Sequence, residues 1–280
     1  MTAKELYETT YQKKQHFSFG QNWKSFLETL DNNKITQAKK SLADFLGGVA
    51  NIRGKTFVDI GCGSGLSSLA AHLLGAQKVV SVDVDDSSLW CANFLKKKYA
   101  KKSNWSIIKG SILNQKFVSS LGKYDIVYSW GVLHHTGNMY QALDSILRLV
   151  KSDGLLYLAI YNKTTSFWQG GSSLFWLKIK QLFNSSSQFK KTIIVYLFAI
   201  YQILGLILVA RVNPFRYLKN YSKDRGMSWK HDLLDWLGGY PYEFALPEEI
   251  INYFSLKNFF CLKLKARNGI GCNEYLFRQN

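Results

Sequence analysis

Between Thr56 and Gly65 the chain reads Thr-Phe-Val-Asp-Ile-Gly-Cys-Gly-Ser-Gly, an apolar, β-favouring run that stops at three glycines on alternate positions. A helix-forming segment, residues 66–74, follows at once. This succession predicts a strand, a tight turn and a helix N-terminus. Glycine suits such a turn because its backbone reaches angles that a Cβ forbids, and because a ligand can come close to the main chain. The first N–H groups of the helix are then expected to face whatever binds there.

Several phosphate and nucleotide sites use a glycine-rich strand-to-helix turn, so the spacing has to narrow the choice. A dinucleotide fingerprint places its third glycine three residues after the second, whereas Gly61, Gly63 and Gly65 are evenly spaced. No Gly-Lys-Ser/Thr follows for a nucleoside triphosphate. Asp59 lies inside the strand, where a carboxylate would repel a pyrophosphate but attract the cationic amino group of a methionine moiety. The segment resembles motif I of the class I S-adenosylmethionine-dependent methyltransferases. The resemblance implies that Asp59, Gly61, Cys62, Gly63 and Gly65 hold the methionine end of S-adenosyl-L-methionine.

Downstream the β–α alternation is regular, which predicts a parallel sheet with helices on both faces. The second strand, at residues 78–83, ends in Asp83, roughly twenty residues after the glycines, where Rossmann-like sites place the acid that accepts ribose hydroxyls. Val84 follows it, while Asp85 and Asp86 suit the cap of the next helix, expected at 87–99. The lysines at 96–98 and 101–102 read as a solvated helix C-terminus rather than a nucleic-acid patch. The third strand begins at Trp105; where many family members carry an acid for the adenine amine this chain has Ser111, so contacts near Ser111 and Ile112 are what the resemblance carries over. The fourth strand, 124–130, ends at Trp130, and its loop contains His134 and His135. Loops at the carboxyl ends of such strands border the ligand.

That loop resembles those of small-molecule methyltransferases similar to the ubiquinone-biosynthesis enzymes. His134 is the candidate general base for a hydroxyl acceptor, since imidazole titrates near neutrality, and His135 the structural partner. The Asn/Asp-Pro-Pro-aromatic signature of base-amino methylation and the Pro-Cys nucleophile of cytosine methylation are both missing here, which disfavours those nucleic-acid classes. A helix at 140–150 and a strand at 154–160 complete the fifth unit.

The pattern then breaks. Residues 163–239 form an insertion rich in aromatics and isolated basic residues, with an apolar stretch at 192–210 flanked by Lys190, Lys191 and Arg211. Its length would just span a bilayer. The two runs near the C-terminus, 259–264 and 272–277, look like the final strands of the same sheet, and one crossing would strand them on the far side. A helix lying in a membrane surface keeps both halves together; a buried cap helix is the competing reading. The polar and aromatic segment 225–243 reads as a substrate-facing loop, with His231, Asp232, Tyr240 and Glu243 as candidate contacts.

The net charge of +17 calls for an anionic partner: a membrane surface, an acidic substrate or nucleic acid. Four cysteines without metal-ligand spacing and an N-terminus without an apolar core make a cytoplasmic setting, at most peripheral on a membrane, the expectation. The predicted architecture is α/β. A Rossmann-like, doubly wound, seven-stranded sheet with an antiparallel C-terminal hairpin occupies 51–162 and 240–280. An N-terminal helical lid precedes it at 1–50, with an aromatic stretch at 16–23, and the helical insertion follows the fifth strand. The expected activity is methyl transfer to a small or amphiphilic, lipid- or quinone-like acceptor, at oxygen. An RNA or protein methyltransferase and a non-catalytic cofactor-binding scaffold are the alternatives.

Overall fold

A computed structural model of the chain describes residues 19–101, 103–225 and 229–280. Five parallel strands, β1 (Thr56–Ile60), β2 (Lys78–Asp83), β3 (Trp105–Lys109), β4 (Tyr124–Trp130) and β5 (Val150–Tyr161), are joined by β6 (Phe259–Lys265) and β7 (Cys272–Gln279). The sheet order is β3-β2-β1-β4-β5-β7-β6, with β7 antiparallel to both neighbours. Strands covered on both faces need apolar residues at successive positions, which is why β1 and β2 read as continuous runs rather than alternating ones.

Alternate residues of each strand feed two cores. On one face α2 (Asn32–Phe45), α3 (Leu66–Leu73) and α4 (Asp86–Tyr99) pack Leu42, Leu69 and Leu95 against Phe57, Val79 and Ile126. On the other, α5 (Gln115–Leu121), α6 (Met139–Leu147) and α11 (Pro247–Ser255) pack Val118, Leu143 and Phe254 against Val58, Val80 and Val127. Asp85 caps α4 by accepting the Ser88 N–H at 2.8 Å, which starts the helix one residue before the expected position. The predicted helix at 140–150 ends at Leu147, because Val150 is already paired with Tyr124 in the sheet.

The insertion folds as α7 (Ser173–Ser185), α8 (Gln188–Leu208), α9 (Pro214–Arg225) and α10 (Trp229–Gly238). The expected loop at 225–243 is therefore largely helix. A third core forms where this unit meets the ends of β5 and β7, with Trp176, Phe198 and Leu237 packed on Tyr161 and Cys272. α8 is long and apolar enough to cross a membrane, yet only Phe198 of its residues is buried. It does not behave as a buried cap helix: Phe189, Tyr196, Leu197, Ile200, Leu204 and Leu208 are all exposed. Since β5 precedes α8 and β6 and β7 follow it within one sheet, a single crossing is incompatible with this topology. At the other end of the chain, α1 (Phe19–Glu28) lies against α4 and α10.

Candidate active site

At the carboxyl ends of the parallel strands lies a cavity of about 1140 Å³, bounded by the glycine turn, the loops after β2, β3 and β4, α1, and the inner side of the insertion. All three glycines of the turn have positive φ. They are confined by protein: a Cβ on Gly61 would lie 2.4 Å from Val132, one on Gly63 2.9 Å from the Trp23 indole, and one on Gly65 2.8 Å from the Ala92 backbone. The main-chain donors are largely spoken for. Gly61 and Cys62 donate to the Val82 carbonyl, Gly65 to the Cys62 carbonyl, and Gly63 to the Asp83 carboxylate at 2.9 Å. The glycines of the turn thus supply mainly shape, and the neighbouring carboxylates supply the charge, while Ser64, Leu66 and Ser67 at the helix start line the cavity as expected of a helix N-terminus. Cys62 contributes only wall, with its thiol pushed well up by burial.

Asp59 is the most constrained of these groups. It lines the cavity yet is almost wholly buried, and burial, with Asp83 nearby as a lesser influence, raises its pKa to about 7. A chain of donors orients it. Trp105 Nε1 donates to Ser81 Oγ at 2.8 Å, Ser81 meets Ser68 Oγ at 2.6 Å, and Ser68 donates to Asp59 Oδ2 at 2.6 Å. The Ser68 main-chain N–H, in the first turn of α3, also donates to Asp59. The strand register puts Ser81 directly beside Asp59. None of Ser68, Ser81 and Trp105 was singled out from the sequence; the helical offset of Ser68 on the first turn after the glycines is the signal that would have pointed to it.

Asp83 accepts N–H groups from Gly63 and Asp85 through separate oxygens, and each oxygen keeps a lone pair for a ligand hydroxyl. Val84, Ser111, Ile112 and Trp130 all stand on the same cavity wall. The Ser111 hydroxyl accepts the Leu113 N–H at 3.2 Å. Beyond Trp130, whose side chain hydrogen-bonds Glu274, the wall continues through Tyr128, Tyr157, Tyr161, Trp229, Trp236 and Tyr240. A methionine-plus-nucleoside cofactor fits the observed acceptors: a buried carboxylate at the glycine turn for an ammonium, and a second carboxylate one strand over for hydroxyls.

Three of the expected site residues fall outside the cavity: His134, Glu243 and Gly65, the last turned toward Ala92 of α4. His134 is fully buried; its Nδ1 accepts the Tyr161 N–H at 3.3 Å, and burial next to His135 and Lys180 holds its pKa well below the usual imidazole value. It is a core histidine, and His135, expected as the structural partner, is the one of the pair that lines the wall, with Nδ1 2.5 Å from the Pro241 carbonyl. Glu243 does not reach the cavity either: its Oε1 accepts the Met139 N–H at 3.0 Å, so it serves the N-terminus of α6. Asp232 and Tyr240 do line the cavity, Asp232 accepting from Tyr221 OH at 2.6 Å. The side chain of His231 lies outside the described residues. Trp23, from the aromatic stretch at 16–23, and Asp235 line the wall as well, the latter unforeseen because its helix reads as a loop.

A family model described as a methyltransferase domain matches residues 32–259. The ubiquinone biosynthesis O-methyltransferase of Glaesserella parasuis serovar 5 is 32% identical over 116 residues, covering 40% of this chain and 47% of that protein. The mitochondrial ubiquinone biosynthesis O-methyltransferase of Dictyostelium discoideum is 29% identical over 119 residues, covering 40% and 37%. The chain thus spans less than half the length of these relatives. Among solved structures, magnesium protoporphyrin IX methyltransferase from Synechocystis PCC 6803 with bound SAH superposes with a TM-score of 0.52 at 16% identity, over 87% of this chain and 83% of that one. PKMT2 from Rickettsia typhi in complex with AdoHcy gives 0.57 at 14% identity, over 87% and 53%. These two share the fold. With the family model covering most of the chain and the strand order and glycine turn in place, the protein belongs to the methyltransferase-domain family and is a class I S-adenosylmethionine-dependent methyltransferase.

Proposed function

We propose that this enzyme methylates a hydroxyl oxygen on a planar, membrane-partitioned acceptor, a polyprenyl phenol or a similar lipid-linked hydroxyl. The observation that carries this reading is the continuity of one cavity from the glycine turn into the aromatic wall of the insertion. Aromatic side chains suit a flat, largely apolar ligand. The O-methyltransferase relatives support oxygen as the receiving atom.

In this reading Asp59 meets the amino group of the cofactor, Asp83 with Val84 the ribose, Ser111 and Ile112 the adenine edge, and Trp130 the boundary with the acceptor. S-adenosylmethionine supplies an electrophilic methyl group on sulfur. The task left to the chain is orientation and exclusion of water, because a positioned oxygen and a good leaving group need little else. The exposed face of α8, bordered by Lys190, Lys191, Arg211 and Arg216, would lie in an anionic bilayer surface and bring the cavity to acceptors dissolved there. In this reading the enzyme is a peripheral protein on the cytoplasmic side of a membrane.

Incubation with methyl-labelled S-adenosylmethionine and a whole-cell extract, followed by separation into organic, nucleic-acid and protein fractions, tests the reading. Label in the organic phase, stable to mild base as an ether is, supports it. Label in RNA or protein overturns it, and label as a base-labile ester overturns the hydroxyl assignment.

A further inference from the structure

Where α7 and α10 meet the end of β5, buried polar atoms without partners accumulate. Among the described residues His134 Nε2, Lys180 Nζ, Asp235 Oδ1 and Trp236 Nε1 are all sealed from solvent and make no hydrogen bond. Buried polar groups are ordinarily satisfied, because an unmet one gives up its bonds to water for nothing. Four in one region mark a place that something else completes.

The geometry says what that partner is. Asp235 and Trp236 line the cavity, and the Asp235 carboxyl is hydrogen-bonded by Asn22 of α1. Behind them Lys180 is fully buried, its Nζ 4.1 Å from the Trp236 ring centroid, 4.7 Å from that of Tyr242 and 5.6 Å from that of Tyr161. A carboxyl on the wall of an aromatic-lined cavity, with an amine boxed by rings behind it, suits an aromatic hydroxyl: the ring would lie among the aromatic walls and the O–H would meet the carboxyl. We propose that Asp235 takes the proton of a phenolic acceptor during methyl transfer, with Lys180 as the residue that positions and tunes it. This deepens the reading above and rests on it.

In the step, the acceptor O–H bond breaks and its proton passes to the Asp235 carboxylate. The oxygen forms its bond to the methyl carbon, and the carbon–sulfur bond breaks with its electron pair staying on sulfur. Asp235 then returns the proton to solvent. Burial raises the Asp235 pKa to about 8 and holds that of Lys180 well below the usual lysine value. The charged and titratable groups facing Asp235 are Lys180 from α7, Asp232 from its own helix and Tyr161 from β5; Cys272 of β7 acts on Lys180 and Tyr161. The carboxylate fraction, and with it the ability to take a proton, therefore rises through about pH 8.

The experiment uses 4-nitrocatechol, whose absorption moves to longer wavelength on ionisation, titrated into protein saturated with S-adenosylhomocysteine. Wild type is expected to bind it with a shift toward the ionised spectrum at a pH below its solution midpoint. Asp235→Asn should bind S-adenosylhomocysteine as wild type does, yet lose the spectral shift and at least tenfold in 4-nitrocatechol affinity. Asp235→Glu, which keeps the carboxylate, should keep the shift. Lys180→Met should move the ionisation midpoint to higher pH, which a residue with a purely packing role would not do. An unchanged shift in Asp235→Asn, or no 4-nitrocatechol binding by wild type, overturns the proposal. Failure of wild type to bind S-adenosylhomocysteine would instead strike at the cofactor assignment beneath it.

Discussion

Asp59 is kept in an environment that disfavours its charge and then given two donors that partly restore it. A rise from 3.8 to about 7 is worth at most roughly 4 kcal/mol against the ionised form. The folded protein holds this proton in a window where the unfolded chain has released it, between about pH 4 and 7. The Asp59 contribution therefore makes stability fall as pH rises through that window and level off above it. Asp59→Asn should raise the apo melting temperature at pH 8 and change it little at pH 4, read by thermal denaturation at both. The same substitution should weaken S-adenosylhomocysteine binding by roughly tenfold to a hundredfold, the range for a lost hydrogen bond to a charged group, measured by calorimetry. In wild type that affinity should fall below about pH 7 as the carboxylate is protonated. Glycines in the same region separate shape from conformation. Gly65→Ala meets the α4 backbone at 2.8 Å as well as an unfavourable φ of 79°, whereas Gly131→Ala at φ 75° has nothing within 4 Å. By unfolding in denaturant, Gly131→Ala should cost about 1 kcal/mol for its backbone angle and Gly65→Ala distinctly more.

At the scale of elements, Glu243 shows how a loop residue can serve a helix. Its carboxylate sits at the first N–H of α6, where an anion is worth about 0.3–1 kcal/mol. Glu243→Ala should lower stability by about that amount and leave methyl transfer to any identified acceptor unchanged; a large loss of rate at normal stability would return Glu243 to the substrate site. The sequence displayed the strands because each ends at an interpretable mark: Asp59 before the glycines, Asp83 before a cap, Trp130 before the histidines. It could not display the second half of the Asp59 network, since a serine in a strand and a serine in a helix carry no sign of facing each other until β1 and β2 fix their register. The same is true of Asp235. Glycine, tryptophan and charge in 225–243 read as a loop, and only the packing of α10 on α7 and α1 turns its aspartate toward the cavity. Which of two adjacent histidines faces the ligand is likewise set by the short helical turn that carries them, not by their order.

For the whole molecule, the net charge and the exposed apolar helix have to be read together. A charge of +17 alone attracts any polyanion, and binding through charge alone weakens steeply with salt. Apolar insertion does not share that dependence. Leu197, Ile200 and Leu204 are 62%, 53% and 47% exposed on α8, so polar substitutions there remove little from the folded core. Each side chain moved fully out of water contributes roughly 1.5–3 kcal/mol, and three that enter the acyl boundary even in part account for a hundredfold or more in partitioning. If α8 docks on a bilayer, the protein should float with anionic liposomes at low salt and retain part of that binding at salt concentrations that screen the lysines. Replacing the three residues together by serine should abolish the salt-resistant fraction while S-adenosylhomocysteine affinity and melting temperature hold. If the triple variant instead floats as wild type does at every salt concentration, the apolar face is not what meets the membrane, and the basic surface alone carries the association.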